Sequence, residues 1–112
     1  MLFITGPLYS GKRTYAQKFG GRQIYEVQTR AADAADLAVL ADELAACDVV
    51  TATEVGSGVV PIDPADRAAR EAAGRLACLL AARAETVVQV WCGLPLVLKG
   101  TLPPRLPEAE QR

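Results

Sequence analysis

The apolar positions of this chain fall into short blocks whose spacing switches between continuous and helical. "LFITG", Leu2 to Gly6, is an apolar run closed by glycine and predicts a buried strand. A helix follows from about Gly11 to Phe19, with Gly20-Gly21 as its stop signal. "RQIYEV" predicts a second strand, with Glu26 an outward-facing edge residue within it. In "AADAADLAVLADELAAC", Leu37, Leu40, Ala41 and Leu44 recur on one helical face while Asp33, Asp36 and Glu43 lie off it. That is the pattern of a surface helix resting on a sheet.

"DVVTATEV" is β-branched and apolar, a third strand, and it runs into the glycine loop Gly56 to Gly58. The next helix carries its own start signals: Asp63 as N-cap, Pro64 at the first helical position and Asp66 beside the positive end. Leu76, Leu79 and Leu80 supply its apolar face, and Glu71 and Arg75 form an i,i+4 pair. Gly74 inside it costs about 1 kcal/mol relative to alanine and suggests close approach to another backbone. "TVVQVWCGLPLVLKG" reads as a strand, a turn at Gly93 to Pro95 and a second short strand. "TLPPRLPEAEQR" is proline-rich and then charged, an extended or mobile tail. The expected organisation is one domain over residues 1–100 and a tail over 101–112. Strand, loop and helix in alternation predict an α/β layered domain with a mainly parallel sheet flanked by helices. Ligands of such sheets collect at the carboxyl ends of the strands.

Composition narrows the function. A chain of 112 residues closes a single modest core. Twelve basic residues against thirteen acidic ones argue against a nucleic-acid partner. Cys47, Cys78 and Cys92 form no C-x-x-C pair and read as buried thiols in a reducing compartment. The chain has no histidine, which removes Ser-His and Cys-His nucleophile pairs, histidine metal ligands and any phosphohistidine or nucleotidyl-histidine intermediate. "MLFIT" lacks the basic region and length of a signal peptide. The longest apolar run, Val87 to Leu98, falls short of the roughly twenty residues that span a bilayer. The expectation is a cytoplasmic protein without membrane contact.

The stretch with chemistry is "GPLYSGKRT", Gly6 to Thr14. Gly6, four residues, Gly11 and then Lys12 is the spacing of a phosphate-binding loop. Glycines let successive amides converge on a phosphate, and the following helix adds its positive end. Lys12 would set an ammonium against the β- and γ-phosphates. The alternative is a tight strand-to-helix turn with an exposed lysine. In working loops the next residue carries the hydroxyl that holds magnesium, and here Arg13 fills that place. A guanidinium repels a cation but pairs with phosphate oxygens, substituting fixed charge for the metal's. Thr14 points about 100° further around the helix, and Ser10 lies inside the loop. Phosphate binding is thus supported and magnesium only poorly so. Glu54, after "VVTAT", is the acid best placed to orient a water or a metal ion, or to accept from a nucleobase or substrate hydroxyl. A solvated carboxylate beside the glycine loop is its alternative reading. Asp48 sits at the opposite end of that strand.

Two blocks together resemble the adenosylcobinamide kinase/adenosylcobinamide-phosphate guanylyltransferase family of cobalamin biosynthesis. "TGPLYSGKR" is similar to the family's Gly-Gly-x-x-Ser-Gly-Lys-Ser loop. "TATEVGSGVVP", Thr51 to Pro61, is similar to its more specific block Thr-Asn-Glu-Val-Gly-x-Gly-Ile-Val-Pro. Arg67, Arg70-Glu71 and Ala73-Gly74-Arg75 match the helix that follows, and "VVQVWCGLPLVLKG" matches the strand ending in Gly-x-x-x-x-x-Lys. The resemblance covers residues 1–22 and about 49–100 and implies a P-loop NTPase-like fold. It also implies GTP or ATP as cofactor, a corrinoid as substrate, and assembly as a homotrimer.

The departures limit what carries over. Family members are longer between the first helix and the Glu-Val-Gly strand, where their guanylylated histidine and an apolar strand ending in an acid lie. This chain has no clear counterpart of either. Arg13 replaces the loop serine and Thr53 the asparagine before Glu54. The expectation is a nucleotide-binding protein that at most keeps the phosphotransfer half-reaction. Lys12 and Glu54 would be catalytic, and Gly6, Ser10, Gly11, Lys12, Arg13, Thr14 and Gly56 would contact the nucleotide. The alternative is a catalytically inactive nucleotide- or corrinoid-binding module, or a structural subunit derived from the family.

Overall fold

A computed structural model describes residues 1–54 and 63–110. β1 (Leu2–Gly6) lies at the centre of the sheet, parallel to β3 (Val49–Thr53) on one side and to β4 (Thr86–Trp91) on the other. β2 (Gln23–Ile24) extends the sheet beyond β3, also in parallel, and β5 (Leu94–Lys99) closes the opposite edge antiparallel to β4. The order is β2-β3-β1-β4-β5, the mainly parallel α/β sheet expected of the strand–helix alternation. Gly6 is in register with Thr53, so β1 and β3 finish together. The chain past β1 and Glu54 past β3 therefore leave the sheet side by side.

Pleating sends alternate strand residues to opposite faces. Phe3, Val50, Ala52 and Val87 pack under α2 (Leu37–Leu44) and α3 (Pro64–Arg83), meeting Ala41, Leu44, Ala73, Leu76 and Leu80. Leu2, Ile4, Val49, Val88 and Val90 pack on the other face against Tyr15 and Ala16 of α1 (Lys12–Ala16), with Phe19 just beyond it. The start signals of α3 act as expected: the Asp63 carboxylate accepts from Ala65 N at 2.8 Å, and Pro64 opens the helix. At its other end Lys99 donates to the carbonyls of Ala81 and Ala82, two of the last acceptors the helix leaves open.

Several elements differ from the sequence expectation. α1 covers only Lys12–Ala16 instead of reaching Phe19. Its end tightens into i→i−3 bonds, Lys18 N to Tyr15 O and Phe19 N to Ala16 O, while Gln23 Nε2 takes the carbonyls of Ala16 and Phe19. β2 ends at Ile24 because the backbone at Glu26 turns left-handed (φ 55°) and its amide bonds the Thr51 hydroxyl instead of a ladder carbonyl. Glu26 is therefore not a strand residue facing outward. A 3₁₀ turn over Val27–Arg30 follows. α2 begins at Leu37, where the Asp36 carboxylate caps the amides of Ala38 and Val39. Among the described residues nothing stands close to Gly74, which marks no close approach there. The β4–β5 turn is Cys92-Gly93, both at positive φ as a two-residue hairpin requires, and Pro95 lies inside β5. Cys47 is buried as expected, but Cys78 and Cys92 are exposed.

Residues 101–110 run extended across the α1 side to a final 3₁₀ turn. Leu102 packs on that face, Leu106 N donates to Lys18 O at 2.8 Å, and the Leu106 side chain closes against Gly20. Among the described residues no helix is long and apolar enough to cross a membrane.

Candidate functional site

The loop leaving β1 is shaped by close backbone fits. A side chain at Gly6 would collide with the Val90 carbonyl oxygen and reach within 2.8 Å of Ser10 Oγ. Gly11 sits at φ 90°, and a Cβ there would stand 3.2 Å from Gly93 Cα. Gly93 N donates to Ser10 O at 2.8 Å, which ties the β4–β5 turn to the loop. Leu8 and Tyr9 at the loop tip are exposed, and Tyr9 takes a left-handed backbone (φ 59°). Inside the loop Ser10 is 4 % exposed, and its hydroxyl has no hydrogen-bond partner among the described residues.

Lys12 is 5 % exposed, with Nζ donating to Pro7 O at 2.8 Å. Burial lowers the pKa of its ammonium, and the nearby carboxylates of Glu26 and Glu54 pull in the opposite direction. The Arg13 guanidinium does not turn toward the loop. Its central carbon lies 4.4 Å from the centroid of the Tyr25 ring, a cation–π contact. Tyr25 is fixed in turn by its hydroxyl, which donates to Gln23 Oε1 at 2.6 Å. Thr14 is exposed.

Two carboxylates flank these cations. Glu54 N donates to Gly6 O at 2.8 Å, and Gln89 Nε2 on β4 donates to Glu54 Oε1 at 2.6 Å. Glu26 lies just past the carboxyl end of β2. Its Oε2 accepts from Thr53 Oγ1 at 2.7 Å and from Gln28 Nε2 at 2.5 Å, while Gln28 Oε1 accepts from Thr53 N at 3.0 Å. Partial burial works to raise the Glu26 pKa. The donors Gln28 and Thr53 together with the charges of Lys12 and Arg13 outweigh it and hold the carboxyl below its ordinary value.

Of the residues singled out from the sequence, Gly6, Ser10, Gly11, Lys12 and Glu54 thus converge on one loop at the carboxyl ends of β1 and β3. Arg13 starts there but leans toward β2, Thr14 faces solvent, and Gly56 lies outside the described residues. Sequence reasoning missed Glu26, its partners Thr53 and Gln28, the Tyr25 ring and Gln89. The one signal for Glu26 was an acid two residues beyond Ile24, the end of a two-residue edge strand, which "RQIYEV" disguises as a continuing strand.

Among the described residues, the hydroxyl that such loops give to magnesium is missing from its usual place. Arg13 stands where the hydroxyl ligand belongs, and Thr14 faces solvent. One carboxylate is held by Thr53 and Gln28 and the other by Gln89. Among the described residues no three acids, cysteines or histidines cluster as metal ligands do.

A comparison with family models matches residues 22–98 to cobinamide kinase / cobinamide phosphate guanyltransferase. The match runs from β2 through β5 and begins just after the loop and α1. No curated protein matches the chain. With well over half of its length matched, and a mainly parallel α/β sheet consistent with that assignment, the chain belongs to the cobinamide kinase / cobinamide phosphate guanyltransferase family.

Proposed function

We propose that the chain binds the phosphates of GTP or ATP at Gly6–Thr14 and, where it turns over, transfers a phosphoryl group to the hydroxyl of a corrinoid side chain. The observation that carries this reading is Lys12. Its ammonium is buried at the base of a glycine-shaped loop, beside a Ser10 hydroxyl that no group among the described residues satisfies. A buried unpartnered hydroxyl costs stability, and phosphate oxygens are the acceptors such a loop is built to meet. α1 is a short helix, so the loop amides and Lys12, not a helix terminus, carry the anion.

In this reading Lys12 leaves the Pro7 carbonyl for a phosphate oxygen and stabilises charge as it develops on the transferred group. Gln89 holds the Glu54 carboxylate beside the loop, where it orients the acceptor hydroxyl. Guanylyl transfer through a histidine has no residue to carry it.

A second reading, a nucleotide- or corrinoid-binding subunit without turnover, is favoured by Arg13 lying on Tyr25 in place of a metal-holding hydroxyl. Calorimetric titration with GTP, ATP and GMP, each with magnesium and with chelator, separates the readings. Binding that requires magnesium supports the kinase reading. Binding indifferent to magnesium supports the module, and absence of any nucleotide binding overturns the first reading and leaves only the corrinoid-binding form of the second.

A further inference from the structure

We propose that Glu26 limits how much anionic charge the loop accepts, acting as an internal anion, clamped by Thr53 and Gln28 beside the loop, that penalises each added phosphate of a ligand. The inference rests on the phosphate-binding reading above and adds the residue that discriminates among phosphate chains of different length.

The placement is structural. Thr53, the register partner of Gly6, holds the Glu26 carboxylate through its hydroxyl at 2.7 Å, one strand away from the point where the loop leaves β1. Gln28 holds the same oxygen and is itself fixed to the Thr53 amide. Tyr25, which carries the Arg13 guanidinium on its ring, is the residue immediately before Glu26. A left-handed backbone at a glutamate is uncommon, and here the turn interrupts the strand just where the carboxylate is clamped. The Ser10 hydroxyl, buried within the loop and unpartnered among the described residues, independently points to a ligand arriving beside these groups.

The consequence is one of charge. Lys12 in the loop and Arg13 on the Tyr25 ring both act on Glu26, and Glu54 acts on Lys12, two cations against two anions. The first phosphate gains the amides and Lys12. Each further phosphate adds negative charge beside a carboxylate that its clamp keeps in place. Replacing Glu26 by its neutral isostere leaves an acceptor for the Thr53 hydroxyl while removing that opposition.

The test titrates wild type and Glu26→Gln with orthophosphate, pyrophosphate and tripolyphosphate in chelator, then with GMP, GDP and GTP. Wild type is expected to gain less than about threefold in affinity from the shortest to the longest chain, and Glu26→Gln more than about tenfold, the scale of one nearby unit charge in a partly solvated site. Parallel ladders in the two proteins, or weaker tripolyphosphate binding by the variant, overturn the proposal. Should the variant fail to fold, the wild-type ladder decides, since a steep rise with chain length is itself incompatible with an internal anion. Nucleotide binding with parallel ladders removes only the role of Glu26. Absence of binding of every phosphate to both proteins removes the nucleotide reading and this inference together.

Discussion

The two flanks of the Gly6–Thr14 loop are held by different chemistry. On the β4 side the contacts are mostly backbone: Gly6 against the Val90 carbonyl, Gly11 against Gly93, and Gly93 N to Ser10 O. On the β2 side they are side chains: Thr53 and Gln28 on Glu26, Thr51 on the Glu26 amide, and Arg13 on Tyr25. Backbone fit tolerates no added atoms and is indifferent to charge. A polar lattice accommodates small changes of shape and responds to every change of charge. The shape of the loop is therefore set from β4, and its electrostatic character from β2.

The sharpest way to break this contrast is at Gly6. Gly6→Ala pushes a methyl group into Val90 O, a backbone atom that cannot swing away, so a loss of about 3 kcal/mol or more is expected in a denaturant titration. An unchanged midpoint would mean that the β4 flank yields and does not set the shape.

Next comes Lys12→Met, which keeps length and removes charge. A phosphate contact made by an ammonium is worth about 1.5–3 kcal/mol, so affinity for phosphate ligands should fall roughly 10- to 100-fold. Thermal stability should change much less, because burial already disfavours the Lys12 ammonium. A large drop in melting temperature with intact binding would make Lys12 a structural residue.

Thr53→Val and Gln89→Leu then compare the flanks directly. Thr53→Val strips a buried hydroxyl from a carboxylate and should cost about 1–2 kcal/mol. Gln89→Leu releases the half-buried Glu54, which water can solvate, and should cost less than about 1 kcal/mol. The reverse order would locate the polar lattice on the β4 side.

The smallest effect is in pH. Glu26 has its pKa held down in the folded chain, so its ionised form stabilises the fold above the ordinary carboxyl value of 4.5. That contribution is lost as pH falls through the lower folded value. Wild type should exceed Glu26→Gln in stability near neutrality and lose the advantage in more acidic urea titrations. A gap that is constant with pH would show that the carboxylate is not clamped.

What the sequence made legible follows from how local each signal is. The strand cores, the Asp63-Pro64 helix start and the apolar face Leu37, Leu40, Ala41 and Leu44 depend on neighbours within a few residues, and they stand where periodicity placed them. The short β2 was not legible, because its ending depends on the Thr51 hydroxyl, twenty-five positions away in the chain from the Glu26 amide it accepts from. The early end of α1 likewise depends on Gln23 reaching back to Ala16 and Phe19. In the site, the glycine spacing exposed the β4 flank's demands, since close backbone approach writes itself as glycine. The β2 flank is made of Thr, Gln, Glu and Tyr, residues common on any surface, whose pairing exists only once β2 and β3 are side by side.

The hairpin turn at Cys92-Gly93 gives the molecule a natural reporter position. Cys92 presents an exposed thiol, and the next residue's amide is bonded to the carbonyl of Ser10. A displacement of the loop on ligand arrival therefore pulls on the tip of the hairpin, outside the loop itself. With the other exposed thiol, Cys78, replaced by serine, an environment-sensitive dye on Cys92 would register loop movement as a change in emission while every loop side chain remained native.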